Sequence, residues 1–589
     1  MNDKTKMTTQ RRRVLKVLSA MGVGSAVFGR ALTMLAQERK RITEEMIQQA
    51  EWIAGLTLND AKRKQMADSL NRLHDGFARI RAVAIDNSVP PAVAFRAEPA
   101  EKAPAVITRK LDWKPAKIAK PSAEEDIAFA PVTKLAAWMR GKQISSLELT
   151  KLYIGRLKRY DPILKFVITF TEELAMKQAE QADREIAAGR WRGPLHGVPW
   201  GAKDLLAVPG YPTTWGAAPY KDQVRPEKAT VVELLENAGA VLVAKTTLGA
   251  LAQGDVWFGG TTKNPWLTTQ GSSGSSAGSA SSVAAGCVGF AIGTETLGSI
   301  VSPSTRCGAT GLRPTFGRVS RAGAMALAWS MDKIGALSRS VEDLGLVFSA
   351  IHGADAKDAS AVDRPFGWPL KRDIKTLRIG YLQALFDEDR ARNIQNEEQK
   401  KAVQESQEFD RRSIEVLKGL GIKLIPVKLP DKYPVNDIRF VLEAEAAAAF
   451  DELTRSGKDD LLTAQGNNDW PNTFRRAQTI PAVEYIRGNR IRTLVMQEME
   501  TALKEIDVYV APSFGGANLL MTNLTGHPAV VLPNGFRASN GTPTSITFQG
   551  RLFGEAEVLA VAAAYQNATD FHLRRPKIEP PPPEPERKP

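Results

Sequence analysis

A stretch of glycine, serine and alanine over residues 271–286 constrains the fold of this chain more than any other feature. Such a composition usually forms a flexible linker between domains. Here the stretch runs directly into the apolar residues 288–292, so it belongs to a packed core. A tight loop of small residues inside a core exposes backbone N–H groups. The segment therefore predicts a site that stabilises an anion, either a phosphate or a developing oxyanion.

Two other kinds of site use glycine-rich segments. The chain has no GxxxxGK[ST] motif and no GxGxxG after a strand, which argues against the common phosphate-binding loops. Residues 274–278 do fit the GxSxG pattern of a nucleophile elbow, with Ser276 at its centre. That enzyme class needs a later histidine, and the candidates are His352, His527 and His572. None of them lies in a motif that marks it, but this alternative stays open.

Two further segments accompany the loop. Residues 193–204 read GPLHGVPWGAKD, and residues 293–300 read GTETLGSI, with GLRPT following at 311–315. Together with residues 273–286, these segments have the order and sequences of the amidase signature family, which the chain resembles over residues 127–573. The A subunits of tRNA-dependent glutamine amidotransferases are similar members of that family.

The resemblance implies a Ser-Ser-Lys triad, with Ser299 as the nucleophile, Ser275 as the bridging serine and Lys203 as the general base. It also implies a cis peptide between Gly274 and Ser275, with Gly274 and Ser276 supporting the loop. The implied oxyanion hole consists of the backbone N–H groups of Thr296, Leu297, Gly298 and Ser299. No metal ion and no organic cofactor are expected.

Lysine can serve as the base only when its amine is neutral. Its ordinary pKa of about 10.4 must therefore fall to about 7, which burial without a carboxylate partner can achieve. Lys203 lies among apolar residues on both sides, so burial is expected. Asp204 follows it directly, but adjacent side chains of a strand point to opposite faces. We therefore expect Asp204 to leave this amine unpaired.

Several positions depart from the family pattern GTDTGGSIR and its glycine-rich loop. Glu295 replaces aspartate, Leu297 replaces glycine and Val301 replaces arginine, while Ser273 and Ala277 replace loop glycines. If position 297 required a positive φ, leucine would cost about 1–2 kcal/mol there. Because the triad is intact, these changes concern rate and acyl specificity more than the class of reaction.

After residue 127, predicted helices alternate with short apolar strands, which is typical of an α/β fold. We expect a large central mixed, mostly parallel β-sheet covered by helices on both faces. Predicted strands include residues 240–245, 508–511, 529–533 and 546–549, and predicted helices include residues 397–419 and 435–453.

Residues 42–126 predict a helical appendage to this domain. Residues 44–56 and 60–82 carry apolar side chains at helical spacing, and an extended strap with several prolines follows. This order resembles, weakly, the small C subunit of the tRNA-dependent amidotransferases. An ordinary helical appendage that covers part of the main domain explains the pattern equally well.

The net charge of +14 lies mostly at the chain ends. Residues 1–41 contain ten Lys or Arg and two acidic residues, and the sequence TQRRRVLK precedes a modest apolar run. The pattern resembles a twin-arginine export signal, and the run is shorter than the about 20 residues of a membrane span. We expect a periplasmic or cell-envelope location, with a cytoplasmic location as the alternative. The basic segment could instead be a helix that lies on a surface, or an anchor that is not cleaved. The Pro-rich residues 574–589 predict a disordered tail.

Taken together, these patterns predict an enzyme that hydrolyses a linear carboxylic amide of small size to an acid and ammonia or amine. Little positive charge remains on the body of the chain, so no nucleic-acid partner is expected. Two alternatives stay open: a glutaminase (A-type) subunit of an amidotransferase, which the export signal opposes, and an impaired homologue that only binds. The sequence leaves open which amide is cleaved and which oligomer forms, a homodimer included.

Overall fold

The computed structural model describes residues 41–86, 88–93, 113 and 117–579. Backbone contacts divide the chain into two compact units, the first ending at Asp75 and the second beginning at Gly76. This boundary lies inside helix Asp60–Ala82, and the predicted end of the appendage at residue 126 stays a prediction. The predicted export signal lies outside the described residues, apart from Arg41.

The first unit confirms both predicted helices. Helix Glu44–Ala54 begins after Thr43, whose hydroxyl accepts a hydrogen bond from the N–H of Met46 at 3.3 Å. It ends at Gly55, which adopts the left-handed conformation (φ 63°). Helix Asp60–Ala82 starts in this unit. The buried core of the unit consists of apolar side chains from both helices and from the segment between them, namely Ile47, Leu58, Met66 and Leu70.

The second unit is organised around an eleven-stranded sheet. In order across the sheet, its strands are Val167–Phe170, Val241–Thr246, Pro199–Lys203, Phe290–Glu295, Lys333–Ser338, Thr310–Arg313, Ala529–Phe536, Pro543–Gly550, Val508–Pro512, Ile379–Tyr381 and Leu424–Pro426. Within the described chain, four neighbouring pairs are parallel and six are antiparallel. The expected large mixed sheet is confirmed, but most pairs are antiparallel rather than parallel. The return between residues 536 and 543 is one reason, because so short a connection can join only antiparallel neighbours.

Helices pack against this sheet and against one another. Their bounds are Glu124–Ala128, Val132–Arg140, Ser146–Leu164, Glu172–Ala187, Thr230–Asn237, Ala277–Ala284, Val301–Cys307, Val341–Ile351, Gln383–Asp387, Glu397–Gly419, Phe440–Ala449, Asp451–Arg455, Trp470–Ala477, Ala482–Ala502, Asn518–Thr525 and Glu555–Asn567. Two small sheets pair Val256–Trp257 with Gly260–Thr261 and Lys263–Asn264 with Leu267–Gly271. In the part of the chain that is described, no helix combines the length and apolar character that a membrane crossing requires.

The helix predicted over residues 435–453 is interrupted twice, giving the segments Val435–Ile438, Phe440–Ala449 and Asp451–Arg455. At Phe450 the backbone leaves the helical region, with φ −120° and ψ 31°. The ring of Phe450 packs against the rings of Trp215 and Phe474, with centroids 6.0 and 5.6 Å away. Burial of this ring in an aromatic cluster overrides the helical periodicity of the local sequence.

The first part of the predicted disordered tail is ordered. Arg575 forms an ion pair with Asp126 at 2.8 Å, and the carbonyl of Glu579 accepts a hydrogen bond from the Thr268 hydroxyl at 3.0 Å. Ile578 packs against the buried core, which gives this charged and Pro-rich segment an apolar anchor. Residues 580–589 lie outside the described part of the chain.

Candidate active site

Lys203 is the last residue of strand Pro199–Lys203, which lies between two parallel neighbours in the sheet. Its amine is fully buried and lies close to three hydroxyls: 2.8 Å from Ser275 Oγ, 2.8 Å from Thr294 Oγ1 and 3.1 Å from Ser276 Oγ. A neutral amine has two N–H donors and one lone pair. Three hydroxyl neighbours therefore allow it to donate two hydrogen bonds and to accept one, which is what a general base requires.

Burial lowers the pKa of Lys203 to about 7, although the negative charges of Asp332 and Glu295 act in the opposite direction. The expected orientation of Asp204 is confirmed, because its carboxylate turns away and pairs with Lys245 at 2.7 Å. Thr214 occupies the second oxygen of Asp204 through its N–H and hydroxyl, at 2.8 and 2.5 Å. No carboxylate contacts the Lys203 amine within the described residues, so burial lowers its pKa without a directly paired negative charge.

The loop before helix Ala277–Ala284 brings Ser275 to this amine. The peptide bond between Gly274 and Ser275 is cis, as the resemblance implies. A Cβ at Gly274 would lie 1.8 Å from the carbonyl oxygen of Gly254, so only glycine fits there. Ser273, which stands where the family has glycine, adopts a positive φ of 59° and donates its N–H to Asp255 at 2.7 Å.

Ser299 lies between strand Phe290–Glu295 and helix Val301–Cys307, with 8% of its surface exposed. Its carbonyl accepts a hydrogen bond from the N–H of Ser276 at 3.1 Å, which attaches the two serine-bearing loops to each other. In the described chain, the hydroxyls of Ser275 and Ser299 form no hydrogen bond with each other. The first contact of the expected relay is therefore formed, while the second is not.

The backbone N–H groups expected to form the oxyanion hole are free. Throughout the described residues, they donate to no protein acceptor at Thr296, Leu297, Gly298 or Ser299. Gly298 has a φ of 84°, whereas Leu297 does not adopt a positive φ. The substitution of leucine for glycine at position 297 therefore causes no backbone strain.

Glu295, another departure from the family pattern, is fully buried behind this loop. It forms an ion pair with Arg313 at 2.8 Å and accepts hydrogen bonds from the N–H groups of Ile300 and Val301. Burial alone would raise the pKa of Glu295, but Arg313 and these N–H donors hold it at about 2. Position 301, where the family has arginine, is the first residue of a helix.

The alternative nucleophile elbow does not fit the geometry. The side chain of Ser276 contacts Lys203 and the backbone of Thr294, and no histidine within the described chain reaches it. His527 is 3% exposed and shares a 2.7 Å hydrogen bond with Thr525. Burial lowers the pKa of His527 to about 4. Among the described residues, no group of three or more potential metal ligands lies close together.

Sequence reasoning missed three contributors to the site. Thr294 supplies a hydroxyl to Lys203, although it stands inside a recognised motif. Asp332 accepts a hydrogen bond from the Thr296 hydroxyl at 2.6 Å, and Asn523 donates to Glu295 at 2.9 Å. Asn523 lies 228 residues from Glu295 along the chain, and no local pattern marks it.

Comparisons with known proteins identify the family of this chain. The profile of the family described as Amidase matches residues 148–521. The A subunit of the glutamyl-tRNA(Gln) amidotransferase from Methylococcus capsulatus is 32% identical over 483 residues, which cover 76% of this chain and 98% of that protein. Its counterpart from Chloroflexus aurantiacus is 33% identical over 491 residues, with coverages of 76% and 98%.

Solved structures show the same similarity. The native peptide amidase from Stenotrophomonas maltophilia has a TM-score of 0.66 and 28% identity, covering 76% of this chain and 99% of that chain. A bacterial aryl acylamidase shares the fold, with a TM-score of 0.65, 22% identity and coverages of 76% and 97%. The chain therefore belongs to the amidase signature family and is an amide hydrolase.

Proposed function

We propose that the chain hydrolyses a linear carboxylic amide to an acid and ammonia or amine through an acyl-enzyme on Ser299. The observation that carries this proposal is the buried amine of Lys203, which contacts the Ser275 hydroxyl at 2.8 Å and no carboxylate in the described structure. An amine in that state is a base that can act through a hydroxyl.

The proposed reaction begins with attack of Ser299 Oγ on the amide carbonyl carbon. The Ser299 proton passes to Ser275 Oγ, whose own proton passes to the nitrogen of Lys203. The developing oxyanion binds the free N–H groups of residues 296–299, the largest single contribution expected in such a site. The same relay returns the proton to the leaving nitrogen as the C–N bond breaks. Water then hydrolyses the ester and restores the Ser299 hydroxyl.

A fluorophosphonate probe tests this assignment, because it reacts preferentially with an activated serine. We expect labelling of Ser299 in the natural protein, loss of labelling in Lys203→Ala, and ammonia or amine release from at least one member of a panel of aryl, aliphatic, peptide and amino-acid amides. Ser281→Ala is a matched control, because the Ser281 hydroxyl donates to the Lys263 carbonyl, away from the amine. Labelling of another residue, or none in folded protein, would refute the proposal.

The curated relatives favour a second candidate, an A-type glutaminase component of an amidotransferase. That function predicts ammonia release from glutamine that depends on an added B-type partner chain. An independent amidase instead releases ammonia or amine without any other protein. The rates measured with and without the added partner therefore distinguish the two functions.

The proposed location is the periplasm or cell envelope. The support is the RRR sequence at 11–13 ahead of an apolar run, which resembles a twin-arginine signal. Cell fractionation of the natural chain and of an Arg11→Lys/Arg12→Lys variant tests this proposal. Retention of only the variant in the cytoplasm would support export, and equal cytoplasmic retention of both would refute it.

A further inference from the structure

One carboxylate binds backbone N–H groups at the end of the loop that carries Ser299. Glu295 Oε2 accepts hydrogen bonds from the N–H groups of Ile300 and Val301, at 2.8 and 3.0 Å. Its other oxygen, Oε1, accepts from Arg313 Nη1 at 2.8 Å and from Asn523 Nδ2 at 2.9 Å. These four bonds use the acceptor capacity of a carboxylate.

These bonds join the two ends of the nucleophile loop, residues 296–300, which carries Ser299. Glu295 is the last residue of strand Phe290–Glu295, and Val301 is the first residue of helix Val301–Cys307. The carboxylate binds the N–H groups at the far end of the loop, so it ties residue 295 directly to residues 300 and 301. The intervening N–H groups at 296–299 are those that donate to no protein acceptor in the described chain.

We propose that Glu295 is a positioning residue, which with Arg313 and Asn523 holds the N–H groups of residues 296–299 in the geometry that binds the oxyanion. This inference rests on the proposed function. It extends that function by assigning the preorganisation of the oxyanion hole to a carboxylate that never touches the substrate. Preorganised donors avoid reorganisation when negative charge develops, so loss of this support slows the chemical step.

The same charge also acts on the base. The charges that raise the pKa of Lys203 against the effect of burial are those of Asp332 and Glu295. Glu295 itself faces Arg313 and Lys333, and burial lowers the pKa of Lys333 well below its ordinary value. Removal of the Glu295 charge therefore makes protonation of Lys203 less favourable. The pH at which Lys203 becomes charged, and reactivity is lost, moves downward.

The experiment uses the full-length Glu295→Gln variant, which keeps the side-chain size. An amide has one acceptor oxygen and places an NH₂ group against donors. The variant therefore loses part of the hydrogen bonding that joins residue 295 to residues 300 and 301, or to Arg313 and Asn523. We expect fluorophosphonate labelling of Ser299 to slow by about 100-fold at pH 9, where Lys203 is neutral. For a cleaved amide, kcat falls by a similar factor and KM changes by less than about threefold. The acidic limb of the labelling rate shifts to lower pH.

Asp410→Asn is the matched control. Asp410 is also buried and pairs with one arginine and one asparagine, Arg390 and Asn534, but it binds no backbone N–H of the nucleophile loop. We expect this variant to lose stability and to keep its labelling rate per folded molecule.

A Glu295→Gln variant that labels within about threefold of the natural protein, with an unmoved acidic limb, overturns this inference alone. Absence of labelling in the natural protein overturns the proposed function and this inference with it. Should Glu295→Gln not fold, Asn523→Leu removes one bond to Glu295 without removing the charge. That variant is expected to slow labelling by about three- to tenfold, and an unchanged rate refutes the inference.

Discussion

Two neighbouring strands of the sheet each carry a buried lysine near their carboxyl end, and the two lysines have different partners. Lys203 contacts hydroxyls, whereas Lys245 pairs with the Asp204 carboxylate at 2.7 Å and also donates to the Pro212 carbonyl. Both amines are fully buried. Burial is therefore not what distinguishes the proposed base, Lys203, from the ion-paired Lys245. What differs is the position of one carboxylate: Asp204 lies against Lys245 and partly offsets the effect of burial, which still lowers the pKa of Lys245, whereas no carboxylate contacts Lys203 among the described residues.

The comparison is tested most severely by Lys203→Met, which keeps the length of the side chain and removes the amine. We expect kcat to fall by about 10³- to 10⁴-fold, at the upper end of what a positioned general base contributes. The free energy of unfolding should not fall, because the substitution removes a buried amine that no carboxylate contacts. Steady-state rates and urea unfolding of the same preparation measure both effects. A loss of less than about tenfold would show that Lys203 is not the base.

Lys245→Met should have the opposite profile. It leaves the Asp204 charge buried without a cation, which costs about 3–5 kcal/mol of the free energy of unfolding. Activity per folded molecule should stay within about tenfold of the natural value. The double variant Asp204→Asn/Lys245→Met removes both charges and should recover most of the lost stability. If the single variant were as stable as the natural protein in urea, the ion pair would have no structural role.

The pH dependence should report the neutral state of Lys203. Its pKa of about 7 is depressed from 10.5, so the base is available above about pH 7 and becomes protonated below it. We expect log kcat/KM to fall with a slope of one as pH decreases through that region. Lys203 binds fewer protons in the folded than in the unfolded chain between these two values, so this group makes stability fall as pH decreases from 10.5 toward about 7. A rate that stays constant down to about pH 5 would contradict the assignment.

The smallest effect is expected for Thr294→Val, which removes one of the hydroxyls around Lys203 and keeps the shape of the side chain. Loss of this hydroxyl should lower kcat by about three- to tenfold, since one neutral hydrogen bond is worth roughly 1 kcal/mol. Its control is Thr246→Val, because the Thr246 hydroxyl bonds to Ser279 rather than to the amine. Equal effects of the two variants would mean that the Thr294 contact has no special role.

Much of the site was predictable because its motifs are contiguous in the chain. Lys203, Ser275 and Ser299 each lie in a segment whose sequence indicates its role, and the helix Glu397–Gly419 was expected with the same bounds. Features that depend on distant packing were not predictable. Phe450 interrupts a predicted helix because its ring packs in an aromatic cluster, and Ile578 orders residues that composition suggests are disordered.

The sequence by itself determined which nucleophile, hydroxyl and amine are available and the order in which the chain presents them. Only the tertiary structure decided the protonation state of that amine and the support of the loop that faces it. The pKa of an amine depends on every charge and dipole around it, and those are supplied by strands and helices far apart in the chain. Asp204 turns toward Lys245, and Asn523 reaches Glu295 across 228 residues. Neither contact leaves a local pattern, because folding alone brings the partners together.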